Sequence, residues 1–295
     1  MKYLITGYKG QLGFDIKREL LKRGVSEEDI LAVDKDEMDI TKKDEVDRVV
    51  KGFNPDVIFH CAAFTAVDKA EDMEDVVYDI NVNGAKNMTD AAIDTDATIL
   101  YMSTDYVFDG TKKGFYTEED KVNPMSVYGK TKYLGEEEVR RNPKHYITRI
   151  SWVFGINGHN FVKTMLKLSE NHKELNVVND QIGSPTYTVD LAKTLVDMAS
   201  TDKYGTYNVT NSGYCSWAEF AEYIFESNKK SVKVNKVTTE EYLNITGTKQ
   251  AYRPSNSRFD ETKLEDNFGL LPSWQDAIDR YNVELEEQKQ LVKKK

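Results

Sequence analysis

Cysteine is nearly absent from this chain. Cys61 and Cys215 are the only two in 295 residues, so no disulfide framework can hold the fold together. Histidine is scarce too. The four histidines are dispersed, no HxxxH or CxxC spacing occurs, and no metal site is expected. No run of about 18 apolar residues is present, which argues against a membrane span. The opening Met1-Lys2-Tyr3-Leu4-Ile5-Thr6-Gly7 is interrupted too early for a signal peptide, and a cytoplasmic protein is expected. Basic charge is in the minority, 40 Lys and Arg against 50 Asp and Glu, for a net −10. An acidic surface repels nucleic acid. An anionic substrate would therefore need a local cationic site, for which Arg149 and Arg253 are candidates.

What the chain does have is alternation. Tyr3–Thr6, Ile30–Val33, Val57–His60, Thr98–Met102 and Tyr146–Ile150 are short apolar runs that predict buried strands. Between them, Gln11–Lys22, Lys43–Lys51, Met73–Ile93 and Ser126–Arg141 carry helical periodicity and good helix formers. Such alternation predicts an α/β fold: a doubly wound, Rossmann-like parallel sheet with right-handed crossovers. The second half is less regular and predicts a smaller mixed α/β region for substrate. Phe161–Asn171 and Val189–Ser200 read as helices, and Ser216 and Ser273 read as N-caps of two more. The expected division is residues 1–150 for a dinucleotide and 151–295 mainly for substrate, with some later segment returning to the sheet. Lys293-Lys294-Lys295 reads as a solvated tail.

The first strand runs into Thr6-Gly7-Tyr8-Lys9-Gly10-Gln11-Leu12-Gly13. Gly7 permits a tight turn, Gly10 lets backbone approach a pyrophosphate, and Gly13 allows close helix–sheet packing. The helix that follows offers unpaired N–H groups to phosphate, with Gln11 and Leu12 at its start. The spacing is GxxGxxG rather than the usual GxGxxG. Asp34 ends the second strand, where a carboxylate accepts adenosine ribose hydroxyls and favours NADH. Lys35 and Lys9 beside it suit the 2′-phosphate of NADPH, so both cofactors stay open. Asp39 and Ile40 are placed against the adenine. Cys61-Ala62-Ala63 follows the third strand with small side chains that admit a cofactor, Cys61 itself reading as a buried thiol rather than a nucleophile.

Tyr128-Gly129-Lys130-Thr131-Lys132 sets a tyrosine and a lysine at i, i+4, one turn apart on one helix face. An ammonium there is expected to draw the phenol pKa towards neutrality. An isolated YxxxK is more often a half-buried tyrosine beside a solvated lysine. The glycine loop and the Ser103-Thr104 hydroxyls at a strand end change that balance. Together they suggest hydride transfer to or from a carbonyl.

These residues resemble the extended short-chain dehydrogenase/reductase superfamily. Within it, Asn54–Ile58, Ala62–Glu71, Asn81–Asn83, Ser103–Gly110, Arg149–Gly155, Asp180–Thr186 and Arg253–Ser257 resemble the family of dTDP-4-dehydrorhamnose reductases. The resemblance implies NADPH- or NADH-dependent reduction of the 4-keto group of dTDP-4-dehydro-L-rhamnose. It implies Tyr128 as general acid, assisted by Lys132 and Thr104. It also implies a substrate site drawing on Thr65, Val67, Asp105, Tyr106, Trp152, Asn160, Gln181, Thr186, Arg253 and Asn256, with Arg253 clamping the diphosphate. Some members are described as dimers bridged by a divalent cation. Asp15 and Asp190 fall at suitable positions, but no third ligand aligns, so a monomer or homodimer without metal is expected. Two rivals stay open: an epimerase or dehydratase on the same scaffold, for which Asp105 is a half-match, and a non-catalytic subunit.

Overall fold

The computed structural model describes residues 1–293. Lys294 and Lys295 of the expected tail lie outside them. Six strands form one sheet: β1 (Tyr3–Thr6), β2 (Ile30–Val33), β3 (Val57–His60), β4 (Thr98–Thr104), β5 (His145–Ile150) and β6 (Gly205–Asn208). Their order is β6-β5-β4-β3-β1-β2 and every pairing is parallel. The chain winds from β1 outward to β2, then crosses back to β3 on the other side. This reversal opens a crevice at the carboxyl edge, where doubly wound sheets bind ligands. Register brings Thr6, Val33, His60 and Tyr101 into line near that edge, with Thr104 opposite Ile150.

The strands are largely apolar because both faces are covered. Neighbouring residues serve opposite cores. Ile5, Phe59 and Leu100 pack with Leu12, Ile16 and Leu20 of α1 (Gln11–Lys22) and with Leu191 and Leu195 of α6 (Thr188–Ala199). Leu4, Ile58 and Ile99 pack on the other face with Val46 and Val50 of α2 (Lys43–Phe53), Met88 of α3 (Gly84–Asp94) and Val139 of α4 (Val127–Val139). A third core lies in the second half. There Val162 and Met165 of α5 (Phe161–Leu168), Phe220 and Phe225 of α7 (Trp217–Ser227), and Trp274 and Tyr281 of α8 (Trp274–Lys293) pack with Phe154. Burying each such large side chain contributes about 1.5–3 kcal/mol.

Ser216 opens α7 with the expected capping box, and the Ser273 hydroxyl accepts the Asp276 N–H at the start of α8. The long helix expected over Met73–Ile93 is interrupted. Glu74–Tyr78 gives way to a π turn at Asp79–Asn83 before α3 begins. The turn aims Asn81 inward, where it bonds Phe64 N–H (2.8 Å), Phe64 C=O (3.3 Å) and Thr131 Oγ1 (3.1 Å). It thereby fixes the backbone just ahead of Thr65. A parallel pair, Glu174–Val178 with Lys233–Val237, was not foreseen. Among the described residues, no helix is long and apolar enough to cross a membrane.

Candidate active site

A cleft of about 1170 Å³ runs along the carboxyl edge of the sheet, larger than a typical pocket for one small ligand. One end is built by the glycine loop. Gly7 has φ +66°, and a Cβ on it would sit 2.9 Å from Ala62 N, so no other residue fits without displacing backbone. A Cβ on Gly13 would fall 2.5 Å from the Gly7 carbonyl oxygen. Helix α1 opens at Gly10 without a side-chain cap, leaving its first N–H groups for a ligand. Gly7, Gly10, Gln11, Leu12 and Gly13 all line this end. Asp34 and Lys35 line it at the end of β2, with Asp39 and Ile40 beyond, and Cys61, Ala62 and Ala63 after β3. Glycine cradle, uncapped helix and strand-end carboxylate together fit a dinucleotide.

The charges around β2 are partly committed. Asp34 accepts the Lys9 N–H (3.3 Å) and the Lys35 N–H (2.8 Å), while the Lys9 ammonium pairs with Asp36 (3.3 Å) and Glu37 (3.4 Å). The Gln11 amide oxygen turns away from the loop to accept Gly155 N–H and the Asn160 side chain, both at 3.0 Å. That ties the second half over the first helix. Burial pushes the Cys61 thiol up to about 12, so it is not a thiolate at neutral pH.

The other end of the cleft gathers Thr65, Val67, Thr104, Asp105, Tyr106, Tyr128, Lys132 and Trp152. Helix α4 carries Tyr128 and Lys132 one turn apart, and its start is fastened firmly. Ser126 caps Gly129 N–H (3.1 Å) and Glu71 accepts Val127 N–H (2.9 Å). Gly129 lies so close to the Thr104–Val107 turn that a Cβ would come within 2.2 Å of the Tyr106 carbonyl oxygen. Tyr106 and Tyr128 rings meet edge to face at 5.5 Å. Thr104 Oγ1 hydrogen-bonds Asp105 (3.1 Å) and accepts the Tyr106 N–H (3.3 Å), and its hydroxyl lies beside the Tyr128 phenol. Asp105 also accepts the Ser257 hydroxyl at 2.5 Å, and burial pushes its carboxyl up to about 6.

The expected depression of the Tyr128 phenol is not what the structure gives. Burial raises it to about 12, the Thr104 hydrogen bond opposing and the Asp105 charge adding. Burial likewise lowers Lys132 to about 7, against the pull of the Glu136 charge. Both groups have lost water, and desolvation favours the neutral form of each. The Lys132 ammonium lies 4.0 Å from the centre of the Tyr101 ring.

Arg149 is not the free cation the sequence suggested. It is buried and paired with Glu136 at 3.0 and 2.8 Å. Arg253 forms a bidentate pair with Asp68 at 2.9 and 3.0 Å. Asn160 caps α5, Asn256 bonds the Lys112 and Gly114 carbonyls at 2.8 Å, and Gln181 and Thr186 lie behind Trp152. These five stand outside the cleft wall, which includes Val76, Ile80, Asn83, Ile150, Ser151 and His159 instead. Of these, Ile150 and Ser151 were findable by the strand-end rule. The others sit on the interrupted helix and on a loop of the second half. Asp15 is held by Arg18 and Thr188, and Asp190 by Arg280 and Asn211.

Parallel sheet, glycine cradle and a Thr–Tyr–Lys end define an oxidoreductase scaffold of the extended short-chain dehydrogenase/reductase class. The family model described as RmlD substrate binding domain matches residues 1–286. A dTDP-4-dehydrorhamnose reductase from Aggregatibacter actinomycetemcomitans is 44% identical over 291 residues, covering 94% of this chain and 97% of the relative. The crystal structure of a dTDP-4-dehydrorhamnose reductase from Clostridium acetobutylicum superposes with a TM-score of 0.92 at 43% identity, covering 97% of this chain and 100% of that one. That of the Bacillus anthracis enzyme, in complex with NADP, gives 0.91 at 42% identity, covering 96% and 100%. The chain belongs to the dTDP-4-dehydrorhamnose reductase family.

Proposed function

We propose that this chain reduces the 4-keto group of dTDP-4-dehydro-L-rhamnose, giving dTDP-L-rhamnose, with NADPH or NADH as the reductant. The observation that carries the reading is the single cleft shared by Thr104, Tyr128 and Lys132 at one end and the glycine loop at the other. The loop, Asp34, Lys35, Asp39, Ile40 and Cys61–Ala63 hold the dinucleotide. Bound there, the reduced nicotinamide supplies the hydride, chemistry that belongs to the cofactor. Residues 1–150 thus serve the dinucleotide and 151–295 mainly the sugar nucleotide, with Gly205–Asn208 returned to the sheet.

Tyr128 is the general acid. A phenol held near 12 keeps its proton at neutral pH and releases it to the ketone oxygen as charge develops there. A positioned acid of this kind is typically worth about 10²–10⁴ in rate. Thr104 donates a hydrogen bond to the same oxygen. Lys132, near half-protonated at neutrality, offsets the phenolate charge left behind and steadies the nicotinamide ribose. Thr65, Val67, Asp105, Tyr106 and Trp152 surround the sugar. Arg253 turns from Asp68 to the diphosphate, an exchange of one bidentate anion for another, and Asn160, Thr186 and Asn256 support that side, while Gln181 stands behind the tryptophans and touches no substrate.

The test is to mix the protein with dTDP-4-dehydro-L-rhamnose and NADPH or NADH, and to follow loss of reduced nicotinamide alongside sugar product. One dTDP-L-rhamnose formed per cofactor oxidised supports the reading. Conversion of the sugar with no net cofactor oxidation overturns it in favour of an epimerase or dehydratase.

A further inference from the structure

Trp152 has an unusual setting. It follows β5 with φ +48°, a left-handed backbone that strains a bulky residue and persists only where the surroundings over-determine it. Here they do. The Trp152 carbonyl accepts the Thr186 N–H at 3.2 Å. Gly183 closes on the ring so tightly that a Cβ there would lie 2.8 Å away. One indole face is covered by Trp217, stacked at 3.7 Å and 14°. Trp152 meanwhile lines the cleft.

Trp217 is clamped in turn. Its indole N–H donates to Gln181 Oε1 at 3.2 Å, and the Gln181 amide donates to Thr239 Oγ1 at 3.0 Å. Asp180 accepts both the Thr239 hydroxyl (2.6 Å) and the Thr239 N–H (2.9 Å). Phe161 leans against the indole at 4.7 Å. The Asp180–Thr186 stretch, from which Gln181 and Thr186 were expected in the substrate site, is thus built around the back of one cleft-lining tryptophan. Ordinary core packing asks for neither a strained backbone at Trp152 nor a buried amide fixing the tilt of the ring beneath it.

We propose that Trp217, oriented by Gln181, is a positioning residue for sugar recognition: it holds the Trp152 ring as a platform for the apolar face of the pyranose. The inference rests on the reading that the cleft takes a dTDP-sugar. Two indoles stacked this closely couple their transitions, so the pair has its own circular-dichroism signature, an exciton couplet. Trp274, the third tryptophan, contacts Phe220 and Tyr223 rather than the pair.

The experiment compares wild type with Trp217→Leu and Gln181→Ala, using the couplet and steady-state kinetics. In wild type the couplet should change on saturation with dTDP-L-rhamnose. It should vanish in Trp217→Leu and shrink in Gln181→Ala. An aromatic pair is worth about 0.5–1.5 kcal/mol beyond burial, so KM for the sugar nucleotide should rise about two- to tenfold in both variants. The kcat and the KM for NADPH should stay within about twofold. A couplet unmoved by the sugar nucleotide, or an unchanged sugar KM in both variants, overturns the proposal. So does a parallel loss of kcat, both KM values and thermal midpoint, which would mark a merely structural pair. Gln181→Ala keeps the test decisive if Trp217→Leu fails to fold. A wild type that does not turn over, but whose couplet responds to the sugar nucleotide, refutes the proposed activity and leaves this inference standing.

Discussion

Removing either partner of the Glu136–Arg149 pair should destabilise the protein far more than breaking any surface ion pair. Glu136 is fully buried and Arg149 is 2% exposed. The carboxylate receives two bonds from Arg149 (3.0 and 2.8 Å), one from Ser103 (2.5 Å) and one from Arg140 (2.8 Å). Burial alone would raise the Glu136 pKa, yet it is lowered, because Arg149 outweighs the lost water. Arg149→Met strands a buried carboxylate with Arg140 as its one remaining hydrogen-bonded cation. Glu136→Gln strands a buried guanidinium whose other hydrogen bond goes to the Glu118 carbonyl. Each single change should cost about 3–5 kcal/mol, whereas an exposed pair such as Lys289–Glu286 is worth at most ~1 kcal/mol. The double variant removes both charges and should recover much of the loss. Urea unfolding of all four proteins measures this, with the m-value serving as a check on two-state behaviour. Single variants each within about 1 kcal/mol of wild type, or a double variant equal to the sum of the singles, would refute the reasoning. Glu136 also lies one turn beyond Lys132 and holds its pKa up. Glu136→Gln should therefore leave less of the lysine charged at neutral pH.

Two further outcomes follow from local geometry. Gly129→Ala places a Cβ 2.2 Å from the Tyr106 carbonyl oxygen. It should cost about 1–3 kcal/mol and, by shifting Tyr128, reduce kcat on the order of a hundredfold; full activity would show that the seating of α4 does not matter. Burial raises the Glu261 carboxyl to about 8, against bonds from Thr210 and beside Glu118 and Asp260. The folded state therefore binds a proton there that the unfolded chain has released, and stability falls as pH rises from about 4.5 through 8. Glu261→Gln should flatten that slope and raise stability at pH 8 by at least ~1.4 kcal/mol, the equivalent of one pKa unit. Thermal midpoints at the two ends of the window check it, and an equal loss at both would contradict the assignment.

The five early strands were legible because each is a short, largely apolar run covered on two faces. The start of α4 was legible for a similar reason: Ser126, Tyr128 and Lys132 lie within seven residues. What escaped depends on partners distant in sequence. Arg149 looks like any cation until Glu136 is brought beside it. Gln181 and Thr186 look like ligand contacts until Trp152 and Trp217 stack in front of them. The π turn at Asp79–Asn83 leaves the apolar periodicity nearly intact, so nothing in the pattern shows that Asn81 points inward. The Lys233–Val237 strand reads Lys-Val-Asn-Lys-Val on a two-stranded ladder, too polar to stand out as a buried run. The phenol pKa failed for another reason. Proximity of a lysine is readable from spacing, but burial, which sets the sign here, is not.

The most direct test of the central claim is single-turnover reduction of dTDP-4-dehydro-L-rhamnose by wild type and Tyr128→Phe, each preloaded with NADPH. The variant should bind the cofactor within about threefold of wild type yet form product about 10²–10⁴ times more slowly. Product formation at the wild-type rate by Tyr128→Phe would contradict the account.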